Sequence, residues 1–236
     1  MAAELRDGIL DAAAECFVRY GPWRTTIADV AALAGCSRPT VYKHVGDRDG
    51  LAAALLEREW GRLRQAVTTE LDRHAGAVAK LVEAVVFSVG YVRSHPVFQR
   101  LLACEPHAVL PGLTTEAEPL LRAAIDLLGP IVEDGRVRGE LPAGVDPTVV
   151  AEWTARLALS LMATPSVTVD VDDPAALRRM VEGLFHVGLD RAGRRRRAPA
   201  RSSAPAGSSA GPARSPAPSP LTGAAGGPVG AGRGAR

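Results

Sequence analysis

The chain has 236 residues, of which 47% are hydrophobic and only 4% aromatic, so we expect one large or two small domains with a core of Ala, Leu and Val. Such a core favours helices over sheets. Nine of the 28 basic residues and none of the 26 acidic residues lie in residues 191–236, which leaves 19 basic and 26 acidic residues, a net charge of −7, in residues 1–190. Overall charge therefore does not draw this acidic body to nucleic acid, and any attraction must come from locally placed basic groups.

Cysteine usage and hydropathy exclude several other classes. The three cysteines, Cys16, Cys36 and Cys104, are odd in number and lack Cys/His ligand spacing, so we expect no disulfide framework, metal site or other cofactor. The acidic N-terminus is not typical of a secretory signal, and no run approaches the roughly 18 apolar residues of a membrane span. The sequence predicts a cytoplasmic protein that does not enter a membrane.

Helical periodicity and helix-stop residues divide the first third of the chain. An amphipathic helix is predicted over residues 4–20, because apolar residues recur at helical spacing until Gly21-Pro22. Two short helices follow, and Asp47 then caps a long helix that extends to about residue 73. The predicted domains are residues 1–46, residues 47–190 and a tail, residues 191–236.

The rest of the body is also predicted to be helical. No segment of useful length alternates like a strand, so the fold class is all-α with about nine helices. Residues 191–236, rich in Ala, Pro, Gly, Ser and Arg, are predicted to be disordered because they cannot bury enough apolar surface. The predicted helices are 78–92, 97–104, 116–132 with a kink at Gly129-Pro130, 147–163 and 174–190, with a loop at 105–115 and a connector at 135–144.

The stretch TIADVAALAGCSRPTVYKHV, residues 26–45, has the pattern of a helix-turn-helix. Counted from Ile27, Ala31 occupies the fifth position, where two crossing helices need a small residue. Gly35 occupies the ninth, where the turn needs positive φ, and Val41 the fifteenth, where the second helix needs an apolar residue facing the first. Three constraints met at fixed offsets predict a unit that places a short helix in the major groove of DNA.

Capping residues and charge support this interpretation. Thr26 and Asp29 come close to a capping box, and Ser37 precedes a helix with proline in its first turn. The alternative is an ordinary helical hairpin with a solvated basic face, but no acidic residue interrupts the second helix. The groups of that helix able to reach phosphates or base edges are Arg38, Thr40, Tyr42, Lys43 and His44.

These segments resemble the tetracycline-repressor (TetR) family of transcriptional regulators. The resemblance rests on TTIADVA at 25–31, AGCSRPTVYKH at 34–44 and, more loosely, RDGL at 48–51, and it covers about residues 5–56. Beyond that range only the layout of helices is similar. One departure is Val45, where the family commonly has an aromatic residue.

The resemblance implies an all-helical homodimeric repressor that binds a double-stranded DNA operator and is released by a small-molecule effector. A three-helix unit binds DNA, and the fourth helix, about 47–73, joins it to a ligand-binding and dimerisation domain. The DNA-binding residues implied at matching positions are Thr26, Ser37, Arg38, Thr40, Tyr42, Lys43, His44 and Arg48.

The resemblance also implies a four-helix dimer bundle built from the last two helices of each subunit, here about 147–163 and 174–190. The alternative is that their apolar stripes pack within one subunit. The stripes are Val150, Trp153, Leu157 and Leu161, then Leu177, Val181, Leu184 and Leu189. Few charges lie within 76–104, which favours an apolar or neutral effector. Candidate pocket residues, chosen by type and helix membership, are Phe87, Tyr91, His95, Phe98, His107, Trp153 and Met162.

Two other functions compete with this interpretation. An enzyme is disfavoured, because the chain has no P-loop, GxSxG or HExxH motif and its five histidines are scattered. A non-specific or architectural DNA-binding protein would use Arg194–Arg197 and the rest of the basic tail to bind phosphates. A flexible, soluble tail that reflects a biased composition is the favoured explanation of this segment.

Overall fold

The computed structural model describes residues 2–195, with side chains over residues 3–188. This part of the chain contains ten α-helices, one 3₁₀ turn at Pro22–Arg24 and no strand, which confirms the all-α prediction. The helices are α1 (Ala2–Tyr20), α2 (Ile27–Leu33), α3 (Arg38–Val45), α4 (Arg48–Leu71), α5 (Ala77–Ser94), α6 (Pro96–Cys104), α7 (Pro106–Leu113), α8 (Glu118–Val137), α9 (Pro147–Ala163) and α10 (Pro174–Arg195).

Local signals set the bounds of the first three helices. The Thr26 side chain accepts a hydrogen bond from the Asp29 N–H, and the Asp29 carboxylate accepts one from the Thr26 N–H, which forms the expected capping box. Gly35, at φ 64°, makes the turn between α2 and α3, in a region that glycine enters without steric penalty. Ala31 and Val41 are buried where the two helices meet, so the helix-turn-helix prediction is confirmed in its geometry.

The 24-residue helix α4 begins directly after α3. Asp47 accepts a hydrogen bond from the Gly50 N–H at 2.9 Å and so caps the helix as predicted. Gly50 lies so close to the end of α3 that a Cβ there would be 2.4 Å from the Val45 carbonyl oxygen. The buried stripe of α4 consists of Leu51, Leu55, Leu63, Val67 and Leu71. Helix α4 therefore extends from the end of α3 into the larger group of helices, which consists of α5 to α10.

Helix α5 forms the centre of the larger group. It is buried on nearly every face, as its sequence predicts, and it packs against α4, α8, α9 and α10. Helix α8 lies along α9, and its Gly135 approaches the start of α5 so closely that a Cβ would be 2.3 Å from the Ala77 Cβ. No helix in residues 2–195 is both long and apolar enough to cross a membrane.

Three predicted boundaries are wrong. The expected loop at 105–115 contains α7, because Pro106 sits in the first turn, where a missing N–H is harmless, while Val109 and Leu113 bury apolar side chains. The expected connector at 135–144 begins only after α8, which runs through Pro130 and ends in a Schellman motif with Gly139 at φ 76°. Helix α10 extends to Arg195, five residues into the predicted disordered tail, and residues 196–236 lie outside the described part of the chain.

Candidate nucleic-acid interface and ligand cavity

Helix α3 presents a polar and basic outer face. Val41 and Val45 are 0% and 8% exposed and pack the inner face of the helix against the core. Tyr42 is 54% exposed, and Arg38 and Lys43 are also exposed on the opposite side. Because α3 contains no acidic residue, this face offers cationic and hydroxyl groups without a competing carboxylate.

The other predicted groups of this face are held by local hydrogen bonds. The Ser37 side chain accepts the Thr40 N–H at 3.3 Å, and the two hydroxyls share a hydrogen bond of 2.8 Å. The Thr26 hydroxyl donates to the Asp29 carboxylate at 2.6 Å, and this bond and that from the Thr26 N–H lower the pKa of Asp29. Thr26 and Ser37 remain exposed, while Thr40 and His44 are half-buried. Capping thus fixes these hydroxyls at the helix starts, next to α3.

The Arg48 side chain is bound by other groups of the same chain. Its Nε donates to the Pro22 carbonyl at 3.3 Å, and its Nη2 donates to the carboxylate of Glu105, which is only 3% exposed. The guanidinium also lies over the Trp23 ring, 4.7 Å from the centroid. The implied phosphate contact of Arg48 stays a prediction, and in this structure the guanidinium is held by the Glu105 carboxylate and the Pro22 carbonyl. Trp23, Arg48 and Glu105 are called the domain joint below.

Within the domain joint, Trp23 also contacts the end of α6. Its Nε1 donates to the Cys104 carbonyl at 2.9 Å, and its ring centroid lies 6.2 Å from that of His107. His107, a predicted pocket residue, therefore lies beside the domain joint. The partner of Arg48 was missed from the sequence because Glu105 is 57 residues away and shares no local pattern with it.

A cluster of charged residues around the buried Glu59 lies between α1, α4 and the α5–α6 corner, with Asp11 and Arg62 at its solvent side. Glu59 is fully buried and accepts hydrogen bonds from Arg58 at 3.0 Å and Arg62 at 3.1 Å, and both arginines also bind Asp11 of α1. His95 Nε2 lies 3.4 Å from the other Glu59 oxygen. Burial lowers the pKa of His95, and this outweighs the opposite effect of Glu59, so the imidazole is neutral near pH 7. These five residues are called the charged cluster.

Four of the predicted pocket residues form a row of rings. The centroid distances along it are 6.1 Å for Phe87–Tyr91, 5.2 Å for Tyr91–His95 and 5.4 Å for His95–Phe98. Phe98 then meets Trp60 of α4 at 4.5 Å. The row therefore joins the charged cluster, through His95, to Trp60.

A cavity of about 380 Å³ lies between α4, α5, α8 and α9, with Trp60 in its wall. Its lining is mostly apolar, with buried Ser88 and Thr154 as polar groups and Glu57 and Arg64 as charged ones. Met162 is the one predicted pocket residue that lines it. The other six, Phe87, Tyr91, His95, Phe98, His107 and Trp153, do not. The wall residues missed from the sequence include Leu63, Val67, Leu120, Leu127, Leu128, Ala155, Ala158 and Leu159.

The apolar stripes of α9 and α10 are divided between the core and the surface. Leu161, Leu177 and Val181 are buried within the chain, so this part of the predicted dimer face follows the alternative of packing within one subunit. Trp153 packs edge-on against Phe185, with centroids 5.1 Å apart, and stays 42% exposed. The side chain of Leu189 lies outside the described residues. The large apolar side chains exposed on these two helices are Val149, Trp153, Leu184 and Val187.

Comparison with known proteins agrees with the helix-turn-helix. Residues 9–55 match the family described as bacterial regulatory proteins, tetR family. The HTH-type transcriptional regulator AlkX of Mycobacterium tuberculosis (strain ATCC 25618 / H37Rv) is 30% identical over 184 residues, 76% of this chain and 84% of that protein.

Solved structures share the helical fold over about four fifths of this chain. The crystal structure of the TetR family repressor AlkX from Dietzia sp. strain DQ12-45-1b aligns with a TM-score of 0.57 and 25% identity, over 80% of this chain and 95% of that one. A complex of SmeT with triclosan aligns with a TM-score of 0.53 and 26% identity, over 77% and 91% of the two chains. SmeT is the repressor of the Stenotrophomonas maltophilia multidrug efflux pump SmeDEF. With the motif, the all-helical fold and these relatives in agreement, the chain belongs to the TetR family of helix-turn-helix transcriptional regulators.

Proposed function

We propose that this regulator is a repressor that binds its operator as a homodimer through α3 and releases it when an apolar or neutral small molecule occupies the cavity. The observation that carries the proposal is the course of α4. This helix begins three residues after α3 ends, and Trp60, Leu63 and Val67 of the same helix line the cavity. A ligand that favours one orientation of α4 over another therefore changes the orientation of α3.

The exposed face of α3 supplies the DNA contacts in this proposal. Arg38 and Lys43 carry positive charge for phosphates or guanine edges, and Tyr42 offers a hydroxyl. Ser37 and Thr26 lie at the starts of α3 and α2, where backbone N–H groups also favour an anion. Thr40 and His44 are half-buried at the edges of the same face. Arg48, half-buried at the start of α4, completes the proposed contact set.

In a homodimer, the arrangement of the two protomers sets the distance between the two copies of α3. Two copies of α3 must reach successive major grooves, about 34–36 Å apart. The exposed apolar side chains of α9 and α10 support a seam between protomers, because a twofold axis would bring the same patch of each copy together.

The cavity supports an apolar or neutral effector, since Ser88 and Thr154 are its buried polar side chains and the Thr154 hydroxyl already donates to the Val150 carbonyl at 2.7 Å. About 380 Å³ is also within the range of small-molecule sites. The relatives point the same way, since one is implicated in biodegradation of n-alkanes and another is seen with triclosan. Triclosan and medium-chain n-alkanes are therefore the first probes.

The chain contains two lysines, Lys43 on α3 and Lys80 on α5, which form a matched pair for the test. Lys43→Ala should weaken binding to DNA from the region upstream of the protein's own gene and reduce the salt slope by about one. Lys80→Ala should leave both unchanged. Fluorescence anisotropy at several salt concentrations measures both quantities, and equal effects of the two substitutions would contradict the proposed interface.

The same assay examines the effector and the alternative architectural function. A saturating probe that occupies the cavity should lower the affinity for operator DNA, and bound probe without any loss of affinity would argue against release.

The alternative, a non-specific architectural DNA-binding protein, is favoured by the nine arginines of residues 191–236. Deletion of residues 191–236, which removes all nine of these arginines, should retain the preference for the operator over unrelated DNA. Loss of nearly all binding would instead favour the architectural function.

A further inference from the structure

Three side chains able to bind a metal meet where α4 turns into α5, away from α3 and from the cavity wall. Glu70, His74 and Glu83 each bring one nitrogen or oxygen atom within 4.8 Å of the other two. Glu70 lies in the last turn of α4, His74 follows one turn later, and Glu83 extends from α5. Their side chains are 19%, 31% and 8% exposed, respectively, so the group is sheltered yet open to solvent on the His74 side.

Neighbouring arginines orient both carboxylates. Arg73 donates to Glu70 Oε2 at 2.6 Å, and Arg178 of α10 donates to Glu83 Oε2 at 2.5 Å. Each contact engages one oxygen, so each carboxylate keeps a second oxygen for another partner. His74 Nε2 is already 3.4 Å from Glu70 Oε1. Carboxylates that bind metals are commonly held by such outer hydrogen bonds.

The donor set decides which ion suits the group. One imidazole with two carboxylates matches Zn²⁺ and related first-row transition ions, whereas Mg²⁺ and Ca²⁺ prefer oxygen ligands alone. Zinc–ligand bonds of about 2.0–2.2 Å in a tetrahedron separate neighbouring ligand atoms by about 3.4 Å. From separations of up to 4.8 Å, the ligand atoms therefore need to approach one another by up to about 1.4 Å, a distance on the scale of small side-chain rotations.

We propose that Glu70, His74 and Glu83 form a binding site for one Zn²⁺ ion per chain, with water in the fourth position. The ligand atoms in this proposal are one oxygen of each carboxylate and His74 Nε2, with the ring proton on Nδ1. The ion fastens the end of α4 to α5 and, through Arg178, to α10. The competing explanation is that Arg73 and Arg178 neutralise the two carboxylates and no ion binds.

The test uses the full chain, freed of metal with a chelator and titrated with Zn²⁺ and with Co²⁺ by calorimetry and absorption. We expect one ion per chain, a visible Co²⁺ spectrum typical of low coordination number, and a rise in Tm with Zn²⁺ but not with equal Mg²⁺. His74→Ala should weaken Zn²⁺ binding at least tenfold. The matched control His107→Ala, at an exposed histidine outside the group, should leave it unchanged.

Each outcome decides the proposal. Absence of Zn²⁺ binding, or equal affinity in the parent and His74→Ala, would overturn it. Glu83→Gln should also lose affinity, but Glu83 is buried against Arg178, so circular dichroism must first show that this variant folds. If it does not fold, His74→Ala alone decides, because His74 lies in a half-exposed turn after α4.

Discussion

The ionisable side chains of Glu59 and His95 lie where the DNA-binding unit packs against the larger group of helices. An isolated buried carboxylate is costly, and here Arg58 and Arg62 compensate Glu59 while linking it to Asp11 of α1. His95 contributes no positive charge at neutral pH, because burial lowers its pKa. The charged cluster is therefore balanced when His95 is neutral, and acid conditions disturb that balance.

The lowered pKa of His95 makes stability depend on pH. Below about pH 6.5 the unfolded chain binds a proton that the folded chain binds only at lower pH, so the free energy of unfolding should fall as pH drops from 6.5 through the folded-state pKa. His95→Gln should flatten this dependence. Urea unfolding at pH 5.0 to 7.5 measures it, with His107→Gln as the control that keeps the parent slope. An unchanged slope in His95→Gln would contradict the assignment.

At the scale of elements, the junction of α3 and α4 depends on a close backbone approach. Gly50 allows the first turn of α4 to lie against the Val45 carbonyl, and Asp47 caps that turn. Because the junction is tight, reorientation of α4 is passed directly to α3. A side chain at position 50 would separate the two helices.

Gly50→Ala should therefore destabilise the protein by about 1–3 kcal/mol, because a Cβ 2.4 Å from a carbonyl oxygen forces the backbone to shift. Operator affinity should fall as well. Gly90→Ala is the matched control, since an added Cβ there meets no atom within 4 Å, and better helix propensity should stabilise α5 by about 0.5–1 kcal/mol. Urea unfolding reports both changes, and equal effects would refute the close approach.

Some elements could be predicted from the sequence and others could not. The caps at Thr26, Ser37 and Asp47 were predictable because each signal lies within three residues of the group that it binds. Helix α7 was missed because its prolines indicate a loop, whereas burial of Val109 and Leu113 favours a helix. The cavity wall was missed because aliphatic residues that line a cavity have the same pattern as residues that fill a core.

At the scale of the whole molecule, the exposed apolar side chains of α9 and α10 favour self-association. Leu184→Glu places a charge in this patch and should yield a monomer, measured by light scattering after size exclusion. Operator affinity should then fall by about 10²-fold or more, because each protomer binds a half-site alone. Val137→Glu changes an equally apolar, 74% exposed residue on α8 and should leave the dimer intact. A dimeric Leu184→Glu would place the seam elsewhere.

The domain joint has a consequence for engineering hybrid regulators. Trp23 and Arg48 come from the N-terminal segment, but the acceptors that hold them, the Glu105 carboxylate and the Cys104 carbonyl, come from the α6–α7 corner. A chimaera that transplants only the DNA-binding segment onto another body removes the acceptors of the Arg48 Nη2 group and of the Trp23 indole N–H. Grafting the α6–α7 corner together with the DNA-binding segment should preserve both hydrogen bonds. The transferable unit therefore consists of two segments that are separate in the sequence.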